Sequence, residues 1–440
     1  MATRAIVNVG KLVTGDIHKP LSEATAIWVE DGHIRGLGHS GEFPVDQADQ
    51  VIDVQGMTVC PGLIDSHVHN TLDDYAPQQR EVGWMENCLL VGNTTIISEG
   101  EQGPGFPRFF DDAVGTKATA ILAKRVFDHF RPGGALKMHG GALVLVNGLT
   151  RNDFKEMADA GVWLVAEIGG CGLCMSKDIA PLLDWAREFN FFVSMHFGAR
   201  SIPGSTTVSS AEILALGKGM IHKIAHANGG STAASWENTL DIIEQTDLPL
   251  EMIHNGNHKM MHRIVRKLKE RGELHRLVLG TDCPTGQGAV PNAIMRTAVF
   301  ISAIDDIPAE LALAMASGNT ARIYGLNTGI IEPGREADIL AIDYPPGSIG
   351  TTALEAMANG DTVGVSMVMV DGNIVSVKGR DGRPTARPIE VNGKPLCISN
   401  INDYLFGPPN PGFNIYEATA FGDGNFTRVP GRAVGAYPRG

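Results

Sequence analysis

The chain has 440 residues, with 36 Lys and Arg against 49 Asp and Glu, a formal net charge of -13. That balance excludes the basic footprint of a nucleic-acid binder, and no apolar stretch is long enough to read as a membrane span. The length suits one large unit, since α/β barrels with insertions reach this size.

The first ten residues carry one Arg and no long apolar run, so neither a secretory signal nor an anchor is expected and a cytoplasmic location is. Short strand-like runs follow at Ala5 to Val13, Ala26 to Glu30 with the turn Asp31-Gly32, Ile34 to Leu37, and Val51 to Val54. From residue 60 to about residue 325, apolar runs alternate with amphipathic stretches, which predicts β/α units around a parallel sheet. The runs are Gly62 to His69, Thr94 to Glu99, Leu136 to Leu145, Val162 to Ile168, Phe191 to Phe197, Ile221 to Ala227, Leu248 to His254 and Leu277 to Asp282. Helical periodicity covers Thr150 to Ala160, Ile179 to Phe189 and His258 to Arg271. Eight alternations predict an α/β fold of the (β/α)8 TIM-like barrel type over residues 61–325.

Ala337 to Asp343, Val365 to Val370, the turn Asp371-Gly372 and Ile374 to Val377 repeat the style of the N-terminal runs. Both chain ends are therefore expected to meet in one small β-sandwich domain, residues 1–60 with 326–391. Residues 392–440, rich in Gly, Pro and Asn, are expected to form an extension or an arm laid on a neighbouring subunit. The cysteines at 60, 88, 171, 174, 283 and 397 form no disulfide scaffold; Cys171-Gly-Leu-Cys174 has redox or metal spacing but no second Cys pair, and reads as two free thiols.

Chemistry concentrates where the apolar runs end. Successive side chains alternate faces on a strand, so His67 and His69 of Ile64-Asp-Ser-His-Val-His point the same way and can chelate a borderline metal. Alone, such a pair is a weak signal that also suits an ordinary surface. Run four, however, reaches the carboxylate Glu167, run five the imidazole His196, run six His226 and run eight Asp282. C-terminal strand ends form the active face of a barrel, so four imidazoles and two carboxylates are expected at one mouth, a pattern that favours a metal centre over scattered polar groups. Lys137, which shares a strand face with His139, competes for the role of bridging ligand and otherwise reads as an ion-pair or substrate-contact residue.

This ordered set resembles the amidohydrolase superfamily, and within it the enamidases, ring-opening hydrolases of a partly reduced oxo-nicotinate. The resemblance runs over residues 1 to about 390 and is carried by Asp74-Tyr-Ala-Pro77, Ala113-Val-Gly-Thr-Lys117, His139-Gly-Gly141, Gly161-Val-Trp-Leu-Val-Ala-Glu-Ile168, Ser201-Ile-Pro-Gly204, His226-Ala-Asn-Gly-Gly230 and Gly325-Leu-Asn-Thr-Gly329. It implies His67 and His69 on one metal, His196 and His226 on a second, Glu167 bridging, and Asp282 beside the first metal as a proton shuttle. Two divalent ions are implied, zinc foremost or zinc with ferrous iron, and the donor set also suits manganese or cobalt. The pair would lower the pKa of a bridging water enough to supply hydroxide for attack on a cyclic amide. His139 and His254 are candidates for an extra oxyanion donor. Tyr75, Arg80 and Arg200 are candidates for substrate contacts, the arginines for a carboxylate. The expected partners are a small-molecule cyclic amide and further copies of the chain in a homotetramer, with neither nucleic acid nor membrane.

The sequence departs from the enamidase pattern around Gln78, His254-Asn255 and Cys171 to Cys174, and in its longer C-terminal end, which leaves the substrate open. One alternative is a mononuclear deaminase-type enzyme using His67, His69, His196 and Asp282 on one metal to release ammonia from a ring carbon. A second is an inactive barrel scaffold, against which every ligand position is filled.

Overall fold

A computed structural model of the chain describes residues 2–69, 87–100, 111–128, 136–198, 207–230, 233–283, 288–377 and 382–396. Two parallel sheets form its centre. The smaller has the strand order Lys137–His139, Asn93–Ser98, Leu63–Val68; the larger runs Ala142–Leu143, Leu164–Ile168, Phe192–His196, Lys223–Ala225, Leu250–Ile253 and Leu277–Gly280. Runs such as Asn-Thr-Thr-Ile-Ile-Ser are buried along their whole length, as strands covered on both faces must be. The amphipathic stretches become the helices Arg151–Asp159, Ser176–Glu188 and His258–Arg271. Thr150 and Asp153 close a capping box on the first, and Asn257 and Gly272 begin and end the third. The second starts three residues before Ile179, on the polar turn Ser176-Lys-Asp that apolar periodicity does not register.

Hydrogen bonds join the ends of the two sheets. Asp282 N donates to His67 O at 2.9 Å and His69 N to Cys283 O at 2.7 Å, with a parallel bridge between Val68 and Cys283. Beneath them the buried Asp65 accepts from Thr281 N at 3.0 Å and Thr281 Oγ1 at 2.7 Å, and burial pushes its carboxyl up to about 7. The first and last strands are thus tied by side chain as well as backbone.

Where one strand was expected from Leu136 to Leu145, two short ones stand, Lys137–His139 and Ala142–Leu143. The helix Ala113–Asp128 packs onto the interruption: a Cβ on Gly140 would lie 2.2 Å from Phe127, and one on Gly141 2.7 Å from the Ala120 carbonyl. The run Ala5 to Val13 also divides, into Thr3–Val7 and Lys11–Val13, at Asn8 with φ of +55° and at Gly10, whose Cβ would lie 2.1 Å from Gly56 O.

Two further six-stranded sheets combine both chain ends. One has the order Lys394–Leu396, Ile389–Val391, Gln50–Asp53, Thr3–Val7, Ala26–Glu30, His33–Gly38, and the other Asn373–Ser376, Gly364–Val370, Ile339–Asp343, Thr58–Pro61, Lys11–Val13, Leu21–Ser22. Ile6, Ile27 and Ile52 of the first share an apolar cluster with Leu12, Val59, Ile339 and Met367 of the second. Asp31-Gly32 and Asp371-Gly372 turn with both φ values positive, as two-residue hairpin turns require. A hairpin through Asn392-Gly393 carries its sheet on to Leu396, past the point where the sequence reading began the extension. Residues 397–440 lie outside the described residues. Among those described, no helix is long and apolar enough to cross a membrane.

Lys137 ties the centre to the flank. Its buried ammonium meets Glu336 at 2.7 Å, Asp338 at 2.8 Å and Asp371 at 2.6 Å, the ion-pair role that the sequence held open against a metal-bridging one. Lys137→Met would leave these carboxylates crowded around an apolar tip. It is expected to lower unfolding free energy by about 3–5 kcal/mol in denaturant titrations while metal content stays at the wild-type level.

Candidate metal centre

The six residues expected at strand ends converge. His67 and His69 close the first parallel strand, Glu167 lies near the end of Leu164–Ile168, His196 ends Phe192–His196, His226 follows Lys223–Ala225, and Asp282 lies two residues beyond Leu277–Gly280. All are buried. The donor atoms of five of them fall into two overlapping groups, His67 with His69 and Glu167, and Glu167 with His196 and His226, each spanning no more than 4.8 Å, with Asp282 beside the first.

In the first group His67 Nδ1 faces Glu251 Oε2 at 2.6 Å and His69 Nδ1 faces the Gly100 carbonyl at 3.0 Å. A carboxylate and a carbonyl only accept, so both Nδ1 atoms carry a proton, and the two Nε2 atoms are the positions at which a cation, proton or metal, would be held. Those Nε2 atoms lie 3.1 Å apart, with Glu167 Oε2 at 3.7 and 3.8 Å and Asp282 Oδ1 at 3.5 and 3.2 Å from His67 and His69 respectively. Metal–ligand bonds of about 2.0–2.1 Å in a tetrahedron place ligand atoms about 3.3 Å apart. The donors present therefore fit a divalent ion in type, tautomer and spacing.

In the second group Glu167 Oε1 lies 2.9 Å from His196 Nδ1 and in short contact with His226 Nε2. Burial raises the Glu167 carboxyl, but His226 and His196 outweigh it and hold the group well below the usual carboxylate range. Burial opposes charge on His67 too, yet Glu251, Asp282 and Glu167 together push it up to about 10. The same field of carboxylates favours a bound cation at that place.

Two ligand candidates have left-handed backbone, His226 at φ +30° and Asp282 at φ +56°. For His this is uncommon, and such conformations persist where the surroundings fix them. Gly280 sets another constraint: a Cβ there would lie 2.8 Å from His67 Cβ and 3.0 Å from Glu251 Oε1. Gly280→Ala is expected to displace the His67 ring and weaken metal binding by about tenfold, measurable by chelator competition.

His139 and His254 fall in neither group. His139 is buried edge-on against Trp163, ring centroids 5.6 Å apart. His254 Nδ1 lies 3.3 Å from Thr297 Oγ1, and burial, then Arg296 and His258, hold its imidazole down at about 4, so it is neutral near pH 7. Tyr75, Arg80 and Arg200 lie outside the described residues. Cys171 and Cys174 are not joined in a disulfide. The sequence reading passed over Glu251, Lys223 and Glu99, which sit buried beneath the ligands. The available signal was a charge inside an apolar run, since a buried charge needs a partner on a neighbouring strand.

Comparison with known proteins agrees with this geometry. The amidohydrolase family matches residues 218–375, and the enamidase of Eubacterium barkeri is 42% identical over 392 residues, 89% of this chain and 100% of the relative. The chain belongs to the amidohydrolase family. Within it, the crystal structure of enamidase superposes on this amidohydrolase with a TM-score of 0.83 at 40% identity, over 89% of this chain and 100% of that one. D-hydantoinase shares the fold at 16% identity, with a TM-score of 0.62 over 88% and 98% of the two chains. A 5'-deoxyadenosine deaminase from Methanosarcina mazei is 24% identical over 369 residues, 75% of this amidohydrolase and 81% of the relative.

Proposed function

We propose that this amidohydrolase is a two-metal enzyme that opens a cyclic amide ring. The observation that carries the reading is the division of labour in Glu167, whose Oε2 serves the pair His67 and His69 while Oε1 serves His196 and His226. A mononuclear site has no use for that arrangement. The identity with enamidase supports the amide as substrate. Zinc, alone or with ferrous iron, is the occupant we propose. Counting Lys137–His139 and Ala142–Leu143 as two halves of one interrupted strand, we read the two parallel sheets, joined at Asp282 and His67, as one eight-stranded barrel over residues 61–325. We take residues 1–60 with 326–391 as a β-sandwich beside it, and propose a homotetramer as the assembly.

His67 and His69 would hold one ion, His196 and His226 the other, and Glu167 both. Bound divalent ions supply acidity to a water and polarise an amide carbonyl. Asp282 stands next to the first pair, Oδ1 3.5 and 3.2 Å from His67 and His69 Nε2, where it would accept the proton that the water loses as its oxygen bonds to the carbonyl carbon. It then returns that proton to the ring nitrogen as the C–N bond breaks, so that the nitrogen leaves as a neutral group and the carbonyl carbon becomes a carboxylic acid, which gives up its remaining proton to solvent as the carboxylate.

The test is a screen of metal-loaded enzyme against lactams, imides, hydantoins and oxo-tetrahydropyridine carboxylates, with ring amines alongside. Ring-opened carboxylate without ammonia is the expected product. Ammonia from a ring amine, with one ion per chain, would replace this reading by the deaminase.

A further inference from the structure

Glu251 lies inside the strand Leu250–Ile253, wholly buried, and its two oxygens face different neighbours. Oε2 accepts from His67 Nδ1 at 2.6 Å and from the His226 backbone N–H at 3.0 Å. Oε1 accepts from Ser66 Oγ at 2.5 Å and from the Lys223 ammonium. Lys223, also wholly buried, reaches Glu99 at 2.7 Å and the Ser66 carbonyl at 3.0 Å. We infer that Glu251 is a positioning residue that locks the two ligand pairs to each other, with Lys223 holding it in place; this rests on the two-metal reading above.

One oxygen thereby controls one ligand of each pair. Because a carboxylate accepts and never donates, it keeps the proton of His67 on Nδ1 and leaves the Nε2 lone pair for a metal. The same oxygen grips the N–H of His226, the residue held at φ +30°. Lys223 faces the other oxygen, so the buried carboxylate has a buried cation as its partner. Nothing in this arrangement touches substrate. Glu251 acts through His67 and His226.

Glu251→Gln keeps the shape and removes the property. The ammonium is the stronger donor and takes the amide oxygen, which turns the amide NH2 towards His67 Nδ1–H and His226 N–H, donor against donor. Zn2+ binding to wild type, Glu251→Gln and Lys137→Met should be measured by chelator competition, with the Co2+ absorption spectrum and the melting of each metal-free protein. Expected results are two Zn2+ per wild-type chain, both steps weakened by about 10–100-fold in Glu251→Gln with an altered Co2+ spectrum, and wild-type affinity in Lys137→Met despite its lower stability. Affinity in Glu251→Gln within twofold of wild type, or an equal loss in Lys137→Met, would overturn the inference while leaving the two-metal reading intact. A wild-type chain that binds no Zn2+ would overturn both. If Glu251→Gln does not fold, Ser66→Ala carries the test: by removing a donor to Oε1 it should weaken Zn2+ about 3–10-fold, and unchanged affinity would count against the inference.

Discussion

Glu167→Ala will hold fewer than two divalent ions per chain and lose about 10^3-fold or more in kcat/KM. Two-metal sites place their ions about 3.5–4 Å apart, and at an effective dielectric of about 20 the repulsion between two such ions is about 20 kcal/mol. Imidazoles are neutral ligands and do nothing to offset it. Glu167 supplies the shared negative charge, with one oxygen 3.7 and 3.8 Å from His67 and His69 Nε2 and the other 2.9 Å from His196 Nδ1. Glu167→Gln should fail nearly as badly, because it keeps the shape and loses the charge. The metal-free variants should melt below the metal-free wild type, since His196 and His226 lose the buried carboxylate that faces them. Elemental analysis and steady-state kinetics on the same preparation check this; a variant with two ions and wild-type kcat would end the bridging role.

Asp282→Asn will keep both metals and lose about 10^2–10^4-fold in kcat, the usual worth of a positioned acid–base group. Asn tolerates the left-handed backbone at φ +56° as Asp does, so the local fold should persist. The Asp282 N to His67 O bond is made by the backbone and survives the substitution. What disappears is the capacity to take a proton from water and deliver it to nitrogen. Metal analysis should therefore separate from activity here, whereas in Glu167→Ala the two fall together. Turnover near wild type would remove Asp282 from proton transfer.

The cluster of candidate ligands was legible because His and carboxylate stand at the ends of apolar runs, and period two puts His67 and His69 on one face. His67, His69, Glu167, His196, His226 and Asp282 all follow from those two rules. Lys137 obeyed the same rule with His139, yet it lies at the start of its strand and meets Glu336, Asp338 and Asp371 of the flanking sheets, a contact no local pattern encodes. Glu251, Lys223 and Glu99 stayed hidden for a related reason. Each sits within or at the edge of an apolar run, and its partners are 25 or more residues away in sequence. The break at Gly140-Gly141 depends on Phe127 arriving from a preceding helix, so the strand looked continuous. The flanking hairpins, by contrast, announced themselves through Asp31-Gly32 and Asp371-Gly372, where backbone conformation and residue type are bound together.

The central claim is a pair of ions joined by Glu167. Metal-free protein reconstituted with Mn2+ tests it most directly, by ion count per chain and by electron paramagnetic resonance. Two Mn2+ per chain with an exchange-coupled spectrum, converted by Glu167→Ala to an isolated-ion spectrum or none, is the predicted result. One Mn2+ per chain with an isolated six-line spectrum in the wild type would contradict it.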